Sequence, residues 1–386
     1  MYALEGLRVV DLASNLAGPG TAMYLADQGA DVIKVEPLAG DHTRLRSKDP
    51  HAGNSPSFMV MNRNKRTISM DLRKPEGREL LLKLVGRSDV FITNMRVKAA
   101  QRLGIDYETL SAVNPRLVYA HISGFGTKGP YAEKGGYDRL TQGLSGVMAR
   151  RDANGTPMTA GILVSDPSVP MMLSYGIMLA LWARERTGKG QKVETSLLQA
   201  AVAMQAPHLI KVEDEALNEG DPAAYGIFRC ADTYINVCAL TPPQFRRLCQ
   251  VLDLEHLADD PRATDFARRA EFRADAFPVI EGVLTTRSAN EWLTLLEEAD
   301  VPSAPILDSR QVFDEPQLLE NGMLTTVQHP SAGAVSMFTP PVQLSDTPGG
   351  IRHLAPSLGA HTDEVLRELG FGDSDIAYMR AREIVR

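Results

Sequence analysis

One carboxylate stands alone in the middle of the chain. Asp166 is the only charged residue between Asp152 and Arg184. An apolar, strand-like run over residues 160–164 precedes it, and a mostly apolar helical run over residues 169–183 follows it. A carboxylate at such a junction has two uses, because it can cap a helix or act as a nucleophile.

Local spacing favours the cap. Pro167 follows the aspartate directly, and this pair is a common helix start, because the carboxylate accepts free backbone N–H groups and proline has none to lose. The two uses are compatible, since a helix N-terminus stabilises the ionised carboxylate that a nucleophile needs. We therefore predict that Asp166 caps the helix, and the local sequence leaves open whether it also reacts.

The elements before Asp166 alternate between strands and helices. Strands are predicted over residues 7–12, 31–36, 67–72, 89–93 and 116–122, with helices over 21–28, 75–86 and 98–102 and a turn at 18–20. Strands separated by helices imply a parallel sheet covered by helices. The expected class is α/β with a Rossmann-like large domain. Its ligands bind beyond the carboxyl ends of the strands, where Asn94 and Ser123 fall.

A smaller α+β domain is expected after a polar, acidic linker at residues 208–221. A strand is predicted over 233–240 and a helix over 244–252, and Ser288 with Glu291 makes a capping box that opens a helix through residue 299. We predict one domain of residues 1–210 with 330–386 and a second of residues 225–325. A final helix should be capped by Thr362 and stopped by Gly370.

Composition excludes several classes of protein. The 386 residues carry a formal net charge of −7, which argues against a general nucleic-acid binder. The start of the sequence lacks a signal-peptide pattern, and its longest apolar stretch is too short to span a membrane. The three cysteines have neither metal-ligand nor C-x-x-C spacing and fit a reduced compartment. A cytoplasmic protein without nucleic-acid or membrane partners is expected.

Common catalytic motifs are incomplete. The dinucleotide fingerprint offers Gly18 and Gly20 but has Met23 at the third position. Ser145 misses the spacing of a hydrolase nucleophile by one position. The histidines are scattered, no metal site is predicted, and His121 is interpreted as a strand-end residue rather than a base. Carboxylates and basic residues remain as candidates.

Positive charge is concentrated in the first hundred residues. Basic residues occur over 63–66, at 73–74, and at Arg96, Lys98 and Arg102. Scattered cations usually form a solvated face. Here they flank predicted strand ends, where phosphates bind in α/β folds, so a phosphate-binding patch is an equal alternative.

These patterns together resemble the class III CoA-transferases, the CaiB/BaiF-like family that includes formyl-CoA and carnitine CoA-transferases. The resemblance runs from end to end. It rests on residues 4–11 with 17–19, 29–36, 64–66 with 71–73, 136–138 with Gln142 and 145–146, 187–191 and 358–366.

The resemblance implies a reaction and a site. Asp166 matches the nucleophilic aspartate, which attacks an acyl-CoA thioester and carries first an acyl anhydride and then a CoA thioester. Coenzyme A and acyl-CoA are substrates, small carboxylic acids are acceptors, and no bound metal or redox cofactor is implied. The family forms interlocked homodimers, with substrate at the boundary of the two domains. Positions matching the CoA and acyl site are Leu16, Ala17, Met70, Arg73, Asn94, Met95, Arg102, Leu103, Tyr137 and Asp138.

Within this set, the resemblance assigns roles. Arg73 and Arg102 would meet phosphates, and Asn94 would hydrogen-bond the pantetheine or adenosine. Leu16 and Ala17 would lie beside the thioester, where backbone N–H groups could stabilise oxyanions. Tyr137 and Asp138 would face the acyl group.

Departures from the family weaken any assignment of formyl or oxalyl substrates. Leu16 stands where formyl-CoA transferase has a glutamine, and Pro37 replaces a CoA-contacting arginine. The glycine-rich flap of that enzyme has no counterpart near residues 239–244. A larger apolar or a dicarboxylic acyl group is left open.

Two other functions compete. The α-methylacyl-CoA racemases are similar to this chain but use a histidine and a glutamate where Tyr137 and Pro242 stand. A neutral tyrosine is a poor base near neutral pH, which disfavours proton transfer. A CoA-binding protein without turnover would keep the basic residues but would not need Asp166.

Overall fold

A computed structural model describes residues 1–47, 53–152, 154–211, 213, 221–264 and 266–386. The chain divides into two compact units, one of Met1–Ile210 with Glu320–Arg386 and one of Lys211–Leu319. Residues 320–325, predicted to belong to the smaller domain, group with the larger unit. Part of the predicted linker at 208–221 lies outside the described residues.

The larger unit is built on a parallel sheet of six strands. The strands are β1 (Arg8–Asp11), β2 (Asp31–Glu36), β3 (Lys65–Ser69), β4 (Val90–Thr93), β5 (Val118–Ser123) and β6 (Lys192–Ser196). Their order is β3-β2-β1-β4-β5-β6. The direction of winding reverses between β1 and β4, which creates the crevice where α/β sheets bind ligands. The predicted α/β class and parallel sheet are confirmed.

Helices cover both faces of this sheet. They are α1 (Ala17–Asp27), α2 (Pro56–Met61), α3 (Pro75–Val85), α4 (Val97–Leu103), α5 (Tyr107–Val113), α6 (Asp138–Ser145), α7 (Ser165–Thr187) and α8 (Leu197–Ala203). Successive strand residues point to opposite faces of the sheet and pack into two different cores. Val10 packs with α3, whereas Val9 packs with α1 and α7. Both cores are apolar, and the sheet between them is buried on both faces.

The glycines at 18–20 belong to a helix, so the predicted turn is wrong. A Cβ atom on Gly18 would lie 2.1 Å from the Cβ of Ala13, and one on Gly20 would lie 2.8 Å from Cγ of Pro170 in α7. The glycines therefore allow α1 to approach its neighbours closely. Pro19 is tolerated because it lies in the first turn, where helix N–H groups have no partner within the helix.

The smaller unit combines an antiparallel sheet with helices. Strands β7 (Tyr225–Arg229), β8 (Tyr234–Cys238) and β9 (Ser303–Pro305) pack with α9 (Pro242–Val251), α10 (Glu255–Ala258), α11 (Phe266–Leu284) and α12 (Ala289–Glu298). The capping box of Ser288 and Glu291 is confirmed at α12. Helix α13 (Pro316–Glu320) lies at the end of this unit, whose last residue is Leu319.

The last segment returns to the larger unit. Strands β10 (Leu324–His329) and β11 (Gly333–Phe338) form a hairpin, and α14 (Thr362–Glu368) and α15 (Asp373–Ala381) pack on the sheet. The prediction for α14 is wrong in its cap, because His361 is the N-cap and Thr362 the first helical residue. Gly370 follows α14 with φ of 95°, but α15 then continues the chain. Within the described residues, no helix is long and apolar enough to cross a membrane.

Candidate functional site

Two adjoining cavities lie at the carboxyl edge of the parallel sheet. The larger measures about 680 Å³ and is lined by segments that follow β1, β2 and β3. The smaller measures about 270 Å³ and is lined by segments that follow β1, β4 and β5. Ser14 and Met95 line both, so the cavities meet where the winding of the sheet reverses. Open α/β sheets bind their ligands at this position.

Four of the residues predicted to bind CoA line the larger cavity: Met70, Arg73, Met95 and Leu103. The Arg73 side chain is 85% exposed and makes a two-point ion pair with Asp71. This guanidinium holds the pKa of Asp71 at about 2. Arg73 is thus a fixed, solvent-facing cation at the mouth of an otherwise largely apolar cavity.

The smaller cavity is lined by the predicted residues Asn94, Met95 and Tyr137. Both ends of the Asn94 amide are used internally, since Oδ1 accepts from the Ser14 N–H at 3.1 Å and Nδ2 donates to the Ser14 carbonyl at 2.8 Å. Asn94 therefore fastens the loop after β1 to the end of β4. Arg102 is exposed on α4 and lines neither cavity.

Leu16 and Ala17 lie at the start of α1. Leu16 is its N-cap and Ala17 its first residue. The residue before them, Asn15, has a left-handed backbone with φ of 68° and lines the smaller cavity. Its Oδ1 accepts from Arg46 at 2.9 Å and lies 2.7 Å from His42 Nε2. A strained residue held by two side chains fixes the entry of α1.

The basic residues at 63–66 form buried or half-buried ion pairs, which rules out a phosphate patch there. Arg63 is fully buried against Asp27, and Lys65 donates to Asp11 at 2.8 Å. Desolvation lowers the pKa of Lys65 to about 8 against the attraction of Asp11. The Arg66 partners are Asp31, Glu364 and Glu368. These cations form ion pairs between distant segments of the chain and are therefore not available to bind a ligand.

The predicted nucleophile lies in the first turn of α7. The helix starts one residue before Asp166, and its N-cap is Val164. The predicted cap by Asp166 is therefore wrong, as is the predicted strand at 160–164, which is irregular. Across the described residues, the Asp166 carboxylate accepts no hydrogen bond from a backbone or side-chain donor.

A second carboxylate supplies the cap. One oxygen of Asp138, in α6, accepts three backbone N–H groups at 2.7, 2.6 and 3.1 Å. The donors are Val164, Ser165 and Asp166. A helix leaves its first four N–H groups unpaired, and here the fourth position is Pro167, which has none. Asp138 thus satisfies every available donor at the start of α7.

Asp138 is held from its own helix. Gln142 Nε2 donates to the other Asp138 oxygen and to the carbonyl of Ile162, while its Oε1 accepts from Ala160 N–H. Asp138 is 3% exposed and both of its oxygens are hydrogen-bonded; that it faces the acyl group stays a prediction. Tyr137 is 65% exposed and stays available at the cavity. Sequence reasoning missed the role of Gln142, although its spacing of four from Asp138 places both on one face of α6.

The surroundings of Asp166 make it a weaker acid than an ordinary aspartic acid, with a raised pKa. Burial raises its pKa to about 6, the nearby Asp138 charge adds to the rise, and Arg46 opposes it. The predicted stabilisation of the carboxylate by the helix N-terminus is therefore outweighed. A carboxylate with this pKa is mostly ionised at neutral pH and is more nucleophilic than an ordinary aspartate.

Within the described part of the chain, no three histidine, cysteine or acidic side chains lie together in a way that could hold a metal ion.

Comparison with known proteins agrees with this geometry. Residues 4–362 match the model of CoA-transferase family III. The succinyl-CoA:glutarate CoA-transferase of Homo sapiens is 32% identical over 99% of this chain and 90% of its own. The formyl-CoA:oxalate CoA-transferase of Streptomyces avermitilis is 32% identical over 99% of both chains. A CAIB/BAIF family protein from Brucella suis has a TM-score of 0.83 at 32% identity, covering 95% of this chain and 99% of its own. The predicted family is confirmed, and the chain belongs to CoA-transferase family III.

Proposed function

We propose that this protein transfers CoA from an acyl-CoA donor to a carboxylic acid, with Asp166 as the covalent nucleophile. The observation that carries the proposal is the Asp166 carboxylate itself. It is partly buried, free of hydrogen bonds among the described residues, and has a pKa raised to about 6. A carboxylate with a purely structural role would hold the helix amides, as Asp138 does.

The proposed reaction proceeds through two kinds of intermediate. An Asp166 oxygen attacks the thioester carbonyl, the C–S bond breaks, and CoA leaves as the thiolate. The thiolate then attacks the Asp166 carbonyl of the anhydride, which releases the first acid and leaves an aspartyl–CoA thioester. The acceptor carboxylate attacks this thioester to form a second anhydride, from which the thiolate takes the new acyl group. The anhydride and thioester intermediates retain the free energy of the thioester bond as long as water does not reach and hydrolyse them.

The cavities suggest how the substrate lies. The larger one offers an apolar wall with Met70, Met95 and Leu103 and the Arg73 cation at its mouth, which suits a CoA chain ending in phosphates. We assign the smaller cavity, with exposed Tyr137, to the acyl group. Arg102 is assigned to phosphate contact from the surface of α4, and the start of α1 at Leu16 and Ala17 to the thioester oxygen.

We further propose acids with two carboxylates as substrates. Arg46 attracts the Asp166 carboxylate and is fastened to Asn15 beside the smaller cavity. A guanidinium close to the nucleophile can pair with the distal carboxylate of a short dicarboxylic acid. Succinyl-CoA and glutarate, which the name of the human relative prints, are the first donor and acceptor to test.

Mass spectrometry tests both parts of the proposal. The protein is mixed with succinyl-CoA and a panel of mono- and dicarboxylic acids, and the products are searched for exchanged thioesters and for a CoA adduct on Asp166. Exchange that persists in Asp166→Ala refutes the nucleophile. Equal rates for glutarate and butyrate refute the dicarboxylate preference. Loss of α-deuterium from a branched acyl-CoA without exchange would point to an isomerase instead.

We also propose a homodimer, as the family resemblance implies. Five apolar side chains on one side of α7 are at least 41% exposed in the single chain: Met171, Tyr175, Met178, Leu179 and Trp182. An exposed apolar patch of this kind marks an interface, and a second copy of this chain is the proposed occupant. Light scattering should show a dimer that Trp182→Glu with Tyr175→Glu converts to monomer; an unchanged mass refutes this surface.

We place the reaction in the cytoplasm. Cys230, Cys238 and Cys249 are all free thiols, and Cys230 and Cys249 are buried, which suits a reducing compartment. Cell fractionation with antibody detection is the direct test.

A further inference from the structure

The start of α7 is capped in an unusual way. An aspartate in the first turn of a helix normally takes the free N–H groups itself or is stabilised by them. Here a carboxylate from another helix, Asp138, accepts all three N–H groups that exist, with distances of 2.6 to 3.1 Å. Pro167 removes the fourth. No helix donor is left for Asp166.

We propose that Asp138 is a positioning residue for Asp166: by capping α7 in its place, it keeps the Asp166 carboxylate free of the helix amides and fixes its direction of attack. Asp138 acts through the backbone of residues 164–166 and touches no substrate in this role, because the residue is only 3% exposed. The inference rests on the proposed function, since it assumes that Asp166 is the nucleophile.

Several contacts make the arrangement rigid. Gln142 binds the second Asp138 oxygen and also the loop residues Ala160 and Ile162. Thr141 is 2.7 Å from the hydroxyl of Ser165 at the start of α7. Helix α6 therefore holds the nucleophile segment through three side chains on two successive turns: Asp138, Thr141 and Gln142. A shift of the segment by 1 Å would be costly, because misplacement of a reacting group on that scale can lower a rate about 10²-fold.

The charged groups around Asp166 act in opposite directions. Asp138 on α6 raises its pKa, and Arg46, which follows the 3₁₀ helix His42–Leu45, lowers it. His42 is 3.3 Å from Arg46 and shares Asn15 with it. Without the Asp138 charge, only burial and Arg46 still influence the pKa of Asp166. The Asp166 carboxyl should therefore become more acidic.

The test compares Asp138→Asn with Asp138→Glu in the full-length protein. Asparagine keeps the shape but accepts N–H groups more weakly and has no charge, so kcat should fall about 10²-fold with KM for acyl-CoA nearly unchanged. The acidic limb of kcat/KM should move to lower pH. Glutamate keeps the negative charge but moves the carboxylate, so kcat should fall while the acidic limb of kcat/KM stays at its wild-type pH. Wild-type kcat in Asp138→Asn, or a change confined to KM, overturns the proposal.

A matched control and a second variant complete the design. Asp106 caps α5 by accepting from Thr109 N–H at 3.0 Å, so Asp106→Asn removes a comparable cap elsewhere and should leave kcat unchanged. If Asp138→Asn does not fold, Gln142→Met loosens the same clamp, and wild-type kcat in that variant overturns the proposal.

A readout without substrate separates this inference from the proposed function. The ¹³C carboxyl signal of Asp166, identified by its loss in Asp166→Asn, should titrate at lower pH in Asp138→Asn. An unchanged titration refutes the inference even if CoA transfer is intact. Absence of CoA transfer in the wild type refutes the proposed function alone.

Discussion

The starts of α5 and α7 each carry an aspartate, Asp106 at the N-cap of α5 and Asp166 in the first turn of α7, yet the two carboxylates have opposite properties. Asp106 is the N-cap of α5 and accepts both the N–H and the hydroxyl of Thr109. Partial burial acts to raise its pKa, but these hydrogen bonds outweigh burial and lower it. Asp166 accepts none among the described residues, and its pKa rises to about 6.

The difference comes from a third carboxylate. Asp138 occupies the amides at the start of α7 that an N-cap aspartate would take, and it adds a negative charge nearby. A helix start therefore stabilises whichever carboxylate reaches the amides, and a neighbour that does not reach them is destabilised in its ionised form. The same local motif thus leaves one aspartate hydrogen-bonded with a lowered pKa and the other without hydrogen bonds among the described residues and with a raised pKa.

The largest expected difference between the two aspartates is in activity. Asp166→Asn removes the nucleophile, and CoA transfer should fall by on the order of 10⁴-fold or more, as for other covalent nucleophiles. Asp106→Asn should keep the wild-type rate. Initial rates with succinyl-CoA and a dicarboxylic acid measure both. Comparable losses in the two variants would mean that Asp166 acts only as a structural residue.

The pH dependence of the rate should follow Asp166. Its carboxylate must be ionised to attack, so kcat/KM should fall about tenfold per pH unit below about 6, the pKa to which burial and Asp138 raise it. Asp106→Asn should leave this limb in place. A limb near pH 4 would show that Asp166 behaves as an ordinary aspartate.

Stability should change in the opposite sense to activity at Asp166. Because folding raises this pKa from 3.8 to about 6, the ionised carboxylate destabilises the fold above pH 6, and the cost disappears below pH 3.8. Asp166→Asn should therefore raise the free energy of unfolding by about 2 kcal/mol at pH 7.5. The gain should vanish near pH 3.5. Urea unfolding at both pH values measures it, and a loss of stability at pH 7.5 contradicts the assignment.

Much of this fold follows from local sequence. Five of the six strands of the parallel sheet, all but β6, and helices α1, α3 and α4 were predictable because their apolar periodicity and the parallel connection rule are local properties. The turn expected at Gly18 and Gly20 was wrong for a different reason. Those glycines are needed for contact with Ala13 and Pro170, and close packing leaves no local mark in the sequence.

The candidate site was less predictable because its decisive contacts join distant residues. Asp138 reaches the amides of a helix that starts 27 residues later, so the sequence around Asp166 indicated a cap that another residue provides. The basic residues at 63–66 were equally ambiguous. Arg63 pairs with Asp27 and Lys65 with Asp11, and neither partner can be recognised from spacing.

The smallest expected effect is the loss of stability when the cap of α5 is weakened. Asp106→Asn weakens a helix cap, which should lower the free energy of unfolding by about 1 kcal/mol at pH 7.5. Because folding lowers the pKa of Asp106, its contribution is present above pH 3.8 and is lost as pH falls through the folded pKa. The difference between wild type and Asp106→Asn should therefore shrink in acid, where the Asp166→Asn gain also disappears. At pH 7.5 the two substitutions change stability with opposite signs, although both replace a helix-start aspartate by its neutral amide. Equal signs in urea unfolding would mean that the amides at the start of α7 are shared with Asp166 after all.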